Sequence, residues 1–250
     1  MTTAPVFQLA PLPAADVFTL GGPEGRHAAT VRRLRAGERL DVTDGAGEVL
    51  RCEVAAARRD ELDCQVLERV SVPAPAPRVV VVQALAKGDR GDLAVEMLTE
   101  VGVDEIVPWA ASRSVVRWEG ERGARSAARW AATATEAAKQ ARRARGPGVA
   151  PLASTAAVGD RLAAAGLALV LHEDATRPLA GLAGRHAPWP PAGDIVLVVG
   201  PEGGIAESEL AAFEKAGAAV VRLGPTVLRT STAGVAAAAV LLAATGRWDG

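Results

Sequence analysis

The chemistry in this sequence is concentrated at Val198-Val199-Gly200-Pro201-Glu202-Gly203-Gly204. An apolar run there gives way to three glycines and a proline, and Glu207-Ser208-Glu209-Leu210 then opens a helix. Glycine at a strand end lets the backbone come close to a ligand. In α/β sheets, ligands bind outside the carboxyl ends of the strands. An ordinary strand-to-helix turn has the same outline, so this loop alone names no ligand. It is not a phosphate loop, because no Gly-Lys-Ser/Thr follows, and it is not GxGxxG.

A second loop of the same kind follows at Leu223-Gly224-Pro225-Thr226-Val227-Leu228-Arg229-Thr230-Ser231-Thr232-Ala233. Thr230, Ser231 and Thr232 are good helix caps, and at least one is expected to serve as one. Arg229 reads either as a surface arginine or, at a strand-end loop beside a second Gly-Pro loop, as a contact for an anion or a base.

Parallel strands are needed to bring these loops together. Arg78–Ala84 is a continuous β-branched run, as in a strand buried on both faces. Val103–Pro108, Leu167–Leu171, Ile195–Val199 and Ala219–Leu223 are further strand candidates. Helices are expected at Asp89–Gly102, Arg125–Arg145, Glu207–Gly217 and Thr232–Thr245, the first burying Leu93, Met97, Leu98 and Val101. This alternation means a parallel α/β sheet. Residues 1–72 read differently. Arg39–Thr43, Glu48–Ala55 and Leu62–Val70 alternate apolar and polar residues around an Asp44–Gly47 turn, the pattern of a small β-barrel, with a helix or turn at Arg26–Leu34. Val72-Pro73-Ala74-Pro75-Ala76-Pro77 makes a stiff linker. The expected domains are therefore 1–72 and 78–250.

Bulk properties narrow the classes. The 250 residues are 49% hydrophobic with a net charge of -1, which fits a folded protein and puts any RNA contact in local clusters. Such clusters occur at Arg26, Arg32, Arg33 and Arg35 and again from Arg113 to Arg145, where Arg125, Arg129, Lys139 and Arg143 can share one face of a long helix. A solvated helix face with Glu136 pairing locally is the alternative. The tryptophans Trp109, Trp118 and Trp130 read as packing. Two cysteines, Cys52 and Cys64, give neither metal-ligand spacing nor a disulfide framework, so no metal site is expected and a reduced, cytoplasmic setting is. Met1–Leu12 lacks a basic segment of the secretory kind, and no apolar run is long enough to span a bilayer.

The pair GPEGG and LRTxTA, each between a strand and a helix, resembles the RsmE family of SPOUT RNA methyltransferases. Lys87-Gly88-Asp89-Arg90, Thr99–Ile106, Arg113–Val116 and Glu136–Arg143 resemble further blocks of that family, and His27 with Arg33–Glu38 and Asp44-Gly45 resembles its PUA-like barrel. The resemblance covers nearly the whole chain. It implies a PUA-like β-barrel followed by a SPOUT α/β domain with a C-terminal trefoil knot, at about residues 167–245, and a homodimer. It implies S-adenosylmethionine held by Leu171, His172 and Glu173, by Gly200, Pro201, Glu202, Gly203 and Gly204, and by Leu223, Gly224, Val227, Leu228, Thr230, Ser231 and Ala233. It implies methylation of N3 of a uridine in 16S ribosomal RNA or the small subunit, with RNA contacts at Arg26, Arg33, Arg35, Arg113 and Arg143 and His27 beside them. Arg229 is the residue expected to stabilise charge on the base. The general base is unassigned: the family pattern is RTETA where this chain has Ser231, so either Glu202 or water takes that role or the position is structural. Two other readings stay open, a SPOUT enzyme with another RNA target and a non-catalytic RNA-binding or ribosome-assembly protein.

Overall fold

The computed structural model describes residues 4–182 and 193–249. The chain divides into two units, Met1–Ala74 with Ala138–Gly146 and Pro75–Ala137 with Pro147–Gly250.

The first unit contains β1 (Val6–Gln8), β2 (Val17–Leu20), α1 (Gly22–Arg26) running into one π turn at His27–Val31, β3 (Arg39–Thr43), β4 (Glu48–Ala57) and β5 (Leu62–Ser71). The strands form one sheet in the order β1-β3-β4-β5-β2. Alternation does the sorting: Leu50, Cys52 and Val54 of β4 and Leu62, Cys64 and Val66 of β5 point inward onto Phe7, Leu20, Leu40 and Val42. Two register shifts between β4 and β5 bend the pair, so the sheet curls around this cluster. Both cysteines are free and buried in it. Burial pushes the Cys64 thiol up to about 11 and the Cys52 thiol up to about 12, so both are inert packing groups.

The second unit runs β6 (Val79–Ala84), α2 (Arg90–Val101), β7 (Glu105–Trp109), α3 (Gly120–Gln140), β8 (Gly148–Val149), α4 (Thr155–Ala164), β9 (Leu167–Leu171), α5 (Leu179–Leu182), β10 (Ile195–Val199), α6 (Glu207–Lys215), β11 (Ala219–Val221) and α7 (Thr230–Ala244). Its sheet has the order β11-β9-β10-β6-β7-β8, and every pairing is parallel. Apolar side chains cover both faces, which is why β6 and β10 read as unbroken β-branched runs. Because β11, β9 and β10 are parallel neighbours, the loops that follow them open side by side on one edge.

Several expectations change. On α2 the buried residues are Gly91, Ala94, Val95, Leu98 and Thr99, while Leu93 is exposed; α7 packs closely over this helix and selects its small residues. The helix expected over 125–145 ends at Gln140. Residues 141–145 leave it, with Arg142 in the left-handed region at φ 56°. Better partners for this backbone lie in the first unit: the Ala144 carbonyl accepts from the Thr43 hydroxyl at 2.9 Å and the Gly47 N–H at 3.1 Å, and Arg145 Nε donates to the Val72 carbonyl at 2.8 Å. Gly47 sits at φ 112°, a backbone conformation that favours glycine, with the Arg145 guanidinium against it. The arginine face expected along α3 therefore does not form. Arg143 lies past the helix end, Lys139 makes a nearly buried ion pair with Glu24 at 2.7 Å, and Arg129 pairs with Asp92 at 2.9 Å. The strands β1, β2 and β8 and the helices α4 and α5 were not anticipated.

Candidate active site

A cavity of about 330 Å³ opens at the carboxyl ends of β9, β10 and β11. The β9 loop contributes Leu171, His172 and Glu173; the β10 loop contributes Gly200, Pro201, Glu202 and Gly204. The β11 loop contributes Leu223, Gly224, Val227 and Leu228, then Arg229, Thr230 and Ala233. Gly203 and Ser231 are not on its wall. Gly203 turns toward Arg113, and Ser231 is buried in the first turn of α7. Arg90, from the start of α2, lines the cavity as well.

The β10 loop is braced from outside. Arg90 donates to the Glu202 carboxylate at 3.0 Å and the Lys87 N–H does so at 3.1 Å. Burial works to raise the Glu202 carboxyl, but its own backbone N–H, the Arg90 side chain and the Lys87 N–H outweigh it and hold the group below the ordinary carboxylate value. This is a strut rather than a proton acceptor. A Cβ on Gly203 would lie 3.2 Å from the Arg113 carbonyl oxygen, and one on Gly200 would lie 2.8 Å from Ile205. Arg113 donates to the Gly203 carbonyl at 3.3 Å, so this side chain closes over the loop. The Glu209 carboxylate, buried at the start of α6, accepts from the Ser112 N–H and hydroxyl, the Thr155 hydroxyl and the Ala206 N–H. It thereby ties the segment carrying Arg113 to the segment that follows the glycines.

The β11 loop is built differently. Gly224 to Arg229 are all exposed, and no hydrogen bond holds Gly224–Leu228 to another described residue. The hydroxyls expected to cap α7 do other work. Arg229 is the N-cap residue and its side chain makes no capping bond; the Thr232 hydroxyl bonds back to the Arg229 carbonyl at 3.1 Å. The Thr230 hydroxyl donates instead to the half-buried Gly200 carbonyl at 2.7 Å. In the β9 loop, His172 is fixed through its backbone N–H to the Val221 carbonyl at 3.0 Å, while Nδ1 accepts from the Asp174 N–H.

Outside the cavity, Arg26, Arg33 and Arg35 are exposed on the first unit, Arg33 at φ 56°. His27 packs edge-on to Phe7, with ring centroids 5.7 Å apart. A second cavity of about 700 Å³ adjoins the start of α2, lined by Trp118, Trp130, Arg117, Arg122 and Asp92. Trp118 and Trp130 pack edge-to-face in its wall. Among the described residues no cluster of His, Cys, Asp and Glu could hold a metal ion, and no helix is long and apolar enough to cross a membrane. Sequence reading did not single out Arg90 as a cavity residue, nor Glu209 or Gln83. Gln83 carried a signal, as the lone polar residue in the run VVVVQA.

Comparison with known proteins gives consistent matches. A family model described as an RNA methyltransferase domain matches residues 73–242, and one described as an RNA methyltransferase PUA domain matches 20–67. The ribosomal RNA small subunit methyltransferase E of Mycobacterium tuberculosis is 48% identical, over 93% of this chain and 88% of its own length. That of Bacillus subtilis is 28% identical, over 88% and 87%. The crystal structure of the Neisseria gonorrhoeae ribosomal RNA small subunit methyltransferase E bound to S-adenosyl methionine superposes with a TM-score of 0.83 at 28% identity, covering 98% of each chain. A Legionella pneumophila protein solved in complex with the bound cofactor SAM has a TM-score of 0.81 at 25% identity, covering 97% of this chain and 98% of its own.

Proposed function

The chain belongs to the ribosomal RNA small subunit methyltransferase E family, and from that premise we propose that it methylates N3 of a uridine in the 16S RNA of the small ribosomal subunit, using S-adenosylmethionine. The observation that carries this reading is the convergence of three strand-end loops, after β9, β10 and β11, on one cavity.

The wall suits such a cofactor. It combines the glycine- and proline-rich β10 loop with apolar Leu171, Leu223, Val227 and Leu228. The roles of Gly203 and Ser231 are then indirect, one letting Arg113 close over the loop and the other packing the start of α7. When bound, S-adenosylmethionine supplies a methyl group activated by a sulfonium. The uridine N3 proton has a pKa well above neutrality, so transfer leaves negative charge on the base that must be stabilised at O2 and O4. Arg229, exposed at the rim, has the charge and the donors for this. Glu202 is occupied as a strut, and no residue is assigned as the base. The target base must leave its stack to reach this site. Arg26, Arg33 and Arg35 are the candidates to hold flanking RNA. Arg113, bonded to the β10 loop, and Arg143, just past the end of α3, are further candidates. The same reading takes the chain as a cytoplasmic homodimer with a trefoil knot over about 167–245, of which 183–192 lie outside the described residues.

The test is incubation with small subunits and labelled S-adenosylmethionine, followed by nuclease digestion and mass spectrometry. The reading expects 3-methyluridine at a single position. Label in a ribose hydroxyl would favour another RNA target, and no label despite RNA binding would favour the non-catalytic alternative.

A further inference from the structure

Gln83 sits in β6 with no exposed surface and does not reach the cavity. Its Nε2 donates to the Thr230 hydroxyl oxygen at 2.9 Å and more weakly to the Ala84 carbonyl at 3.3 Å. The Thr230 hydroxyl in turn donates a hydrogen bond to the Gly200 carbonyl at 2.7 Å. The other amide atom, Oε1, is buried without a hydrogen-bond partner among the described residues. Gly234 lies against it: a Cβ there would be 3.6 Å from Oε1, 3.2 Å from Val199 and 3.4 Å from Leu98.

A buried acceptor left without a donor costs its desolvation with nothing in return. An apolar residue of similar shape would avoid that cost, so the amide is at best neutral for folding. Its value lies in direction. A threonine hydroxyl has one proton and rotates freely. With Nε2 donating to the oxygen, the proton is left to point at Gly200. The relay Gln83 to Thr230 to Gly200 therefore has one polarity. It joins the first residue of the β10 loop to the residue that ends the β11 loop, from beneath the cavity.

We propose that Gln83 is a positioning residue for the cofactor, locking the β10 and β11 loops to each other through Thr230. This rests on the reading that the cavity binds S-adenosylmethionine. The test combines calorimetric titration with S-adenosylmethionine and thermal unfolding without it, on wild type, Gln83→Leu, Thr230→Val and the double variant. Gln83→Leu is expected to weaken binding about tenfold while the melting temperature stays the same or rises. Thr230→Val is expected to weaken binding to a similar extent, and the double variant no further than the worse single one, as for two members of one relay. Unchanged affinity in Gln83→Leu would overturn the proposal. So would affinity and stability falling together, the mark of a packing role, or losses that add in the double variant. If wild type itself fails to bind, the cofactor reading falls and this one with it, an outcome separate from tight wild-type binding that Gln83→Leu leaves untouched.

Discussion

The β10 and β11 loops line the same cavity, yet only the first is held before anything binds. Pro201 and Ile205 are buried, Glu202 is gripped by Arg90 and Lys87, Gly203 carries Arg113, and the Gly200 carbonyl accepts from Thr230. From Gly224 to Arg229 the second loop is exposed, with Val227 at 80% and no hydrogen bond to another described residue across Gly224–Leu228. One wall is thus preorganised and the other is left to be ordered by what it meets. A rigid wall lowers the entropic cost of binding, and an adaptable wall admits and releases the ligand. Apolar side chains exposed at Val227 and Leu228 mark where cover by a bound cofactor is expected.

The largest break in this contrast comes from Gly203→Trp. Its side chain must displace Arg113, so the rigid wall loses its shape, and S-adenosylmethionine affinity is expected to fall by about a hundredfold or more in calorimetry, on the order of 3 kcal/mol. Next is Glu209→Ala, which strips partners from the Ser112 and Ala206 N–H groups at once. It is expected to cost about 3 kcal/mol in urea unfolding. Glu202→Gln acts more gently, because the Arg90 pair is partly exposed, and about 1 kcal/mol or less is expected. Its pH signature is specific. The folded carboxyl lies below its ordinary value of 4.5, so the bracing is fully present above that pH and is lost as pH falls through the lower folded value. Wild type and Glu202→Gln should therefore differ by a constant amount near neutrality and converge in acid. The smallest effect is at Val227→Ser, expected to shift stability by less than about 0.5 kcal/mol. Hydrogen exchange sharpens the same point: the Gly204 N–H, bonded to the Pro201 carbonyl, should be protected with or without cofactor, the β11 loop only with it.

The sequence showed both loops because their glycines and prolines are required by backbone geometry, which is local. It showed the parallel sheet because strands buried on both faces are apolar throughout. It did not show the first loop's braces, since Gln83, Arg90 and Glu209 find their partners far along the chain. Nor did it place the end of α3. Alanine-rich periodicity continues past Gln140, but Ala144 and Arg145 are claimed by Thr43, Gly47 and Val72. The capping expectation for Thr230, Ser231 and Thr232 changed for the same reason: the N-cap is Arg229, and the Thr230 hydroxyl one residue further on accepts from Gln83 and donates to the Gly200 carbonyl.

Whether the cavity at the ends of β9, β10 and β11 holds S-adenosylmethionine is decided by calorimetric titration of the purified wild-type protein. Saturable binding in the micromolar range is expected, with one cofactor per chain. No heat and no rise in melting temperature at millimolar cofactor, with small-subunit RNA present or absent, would contradict it.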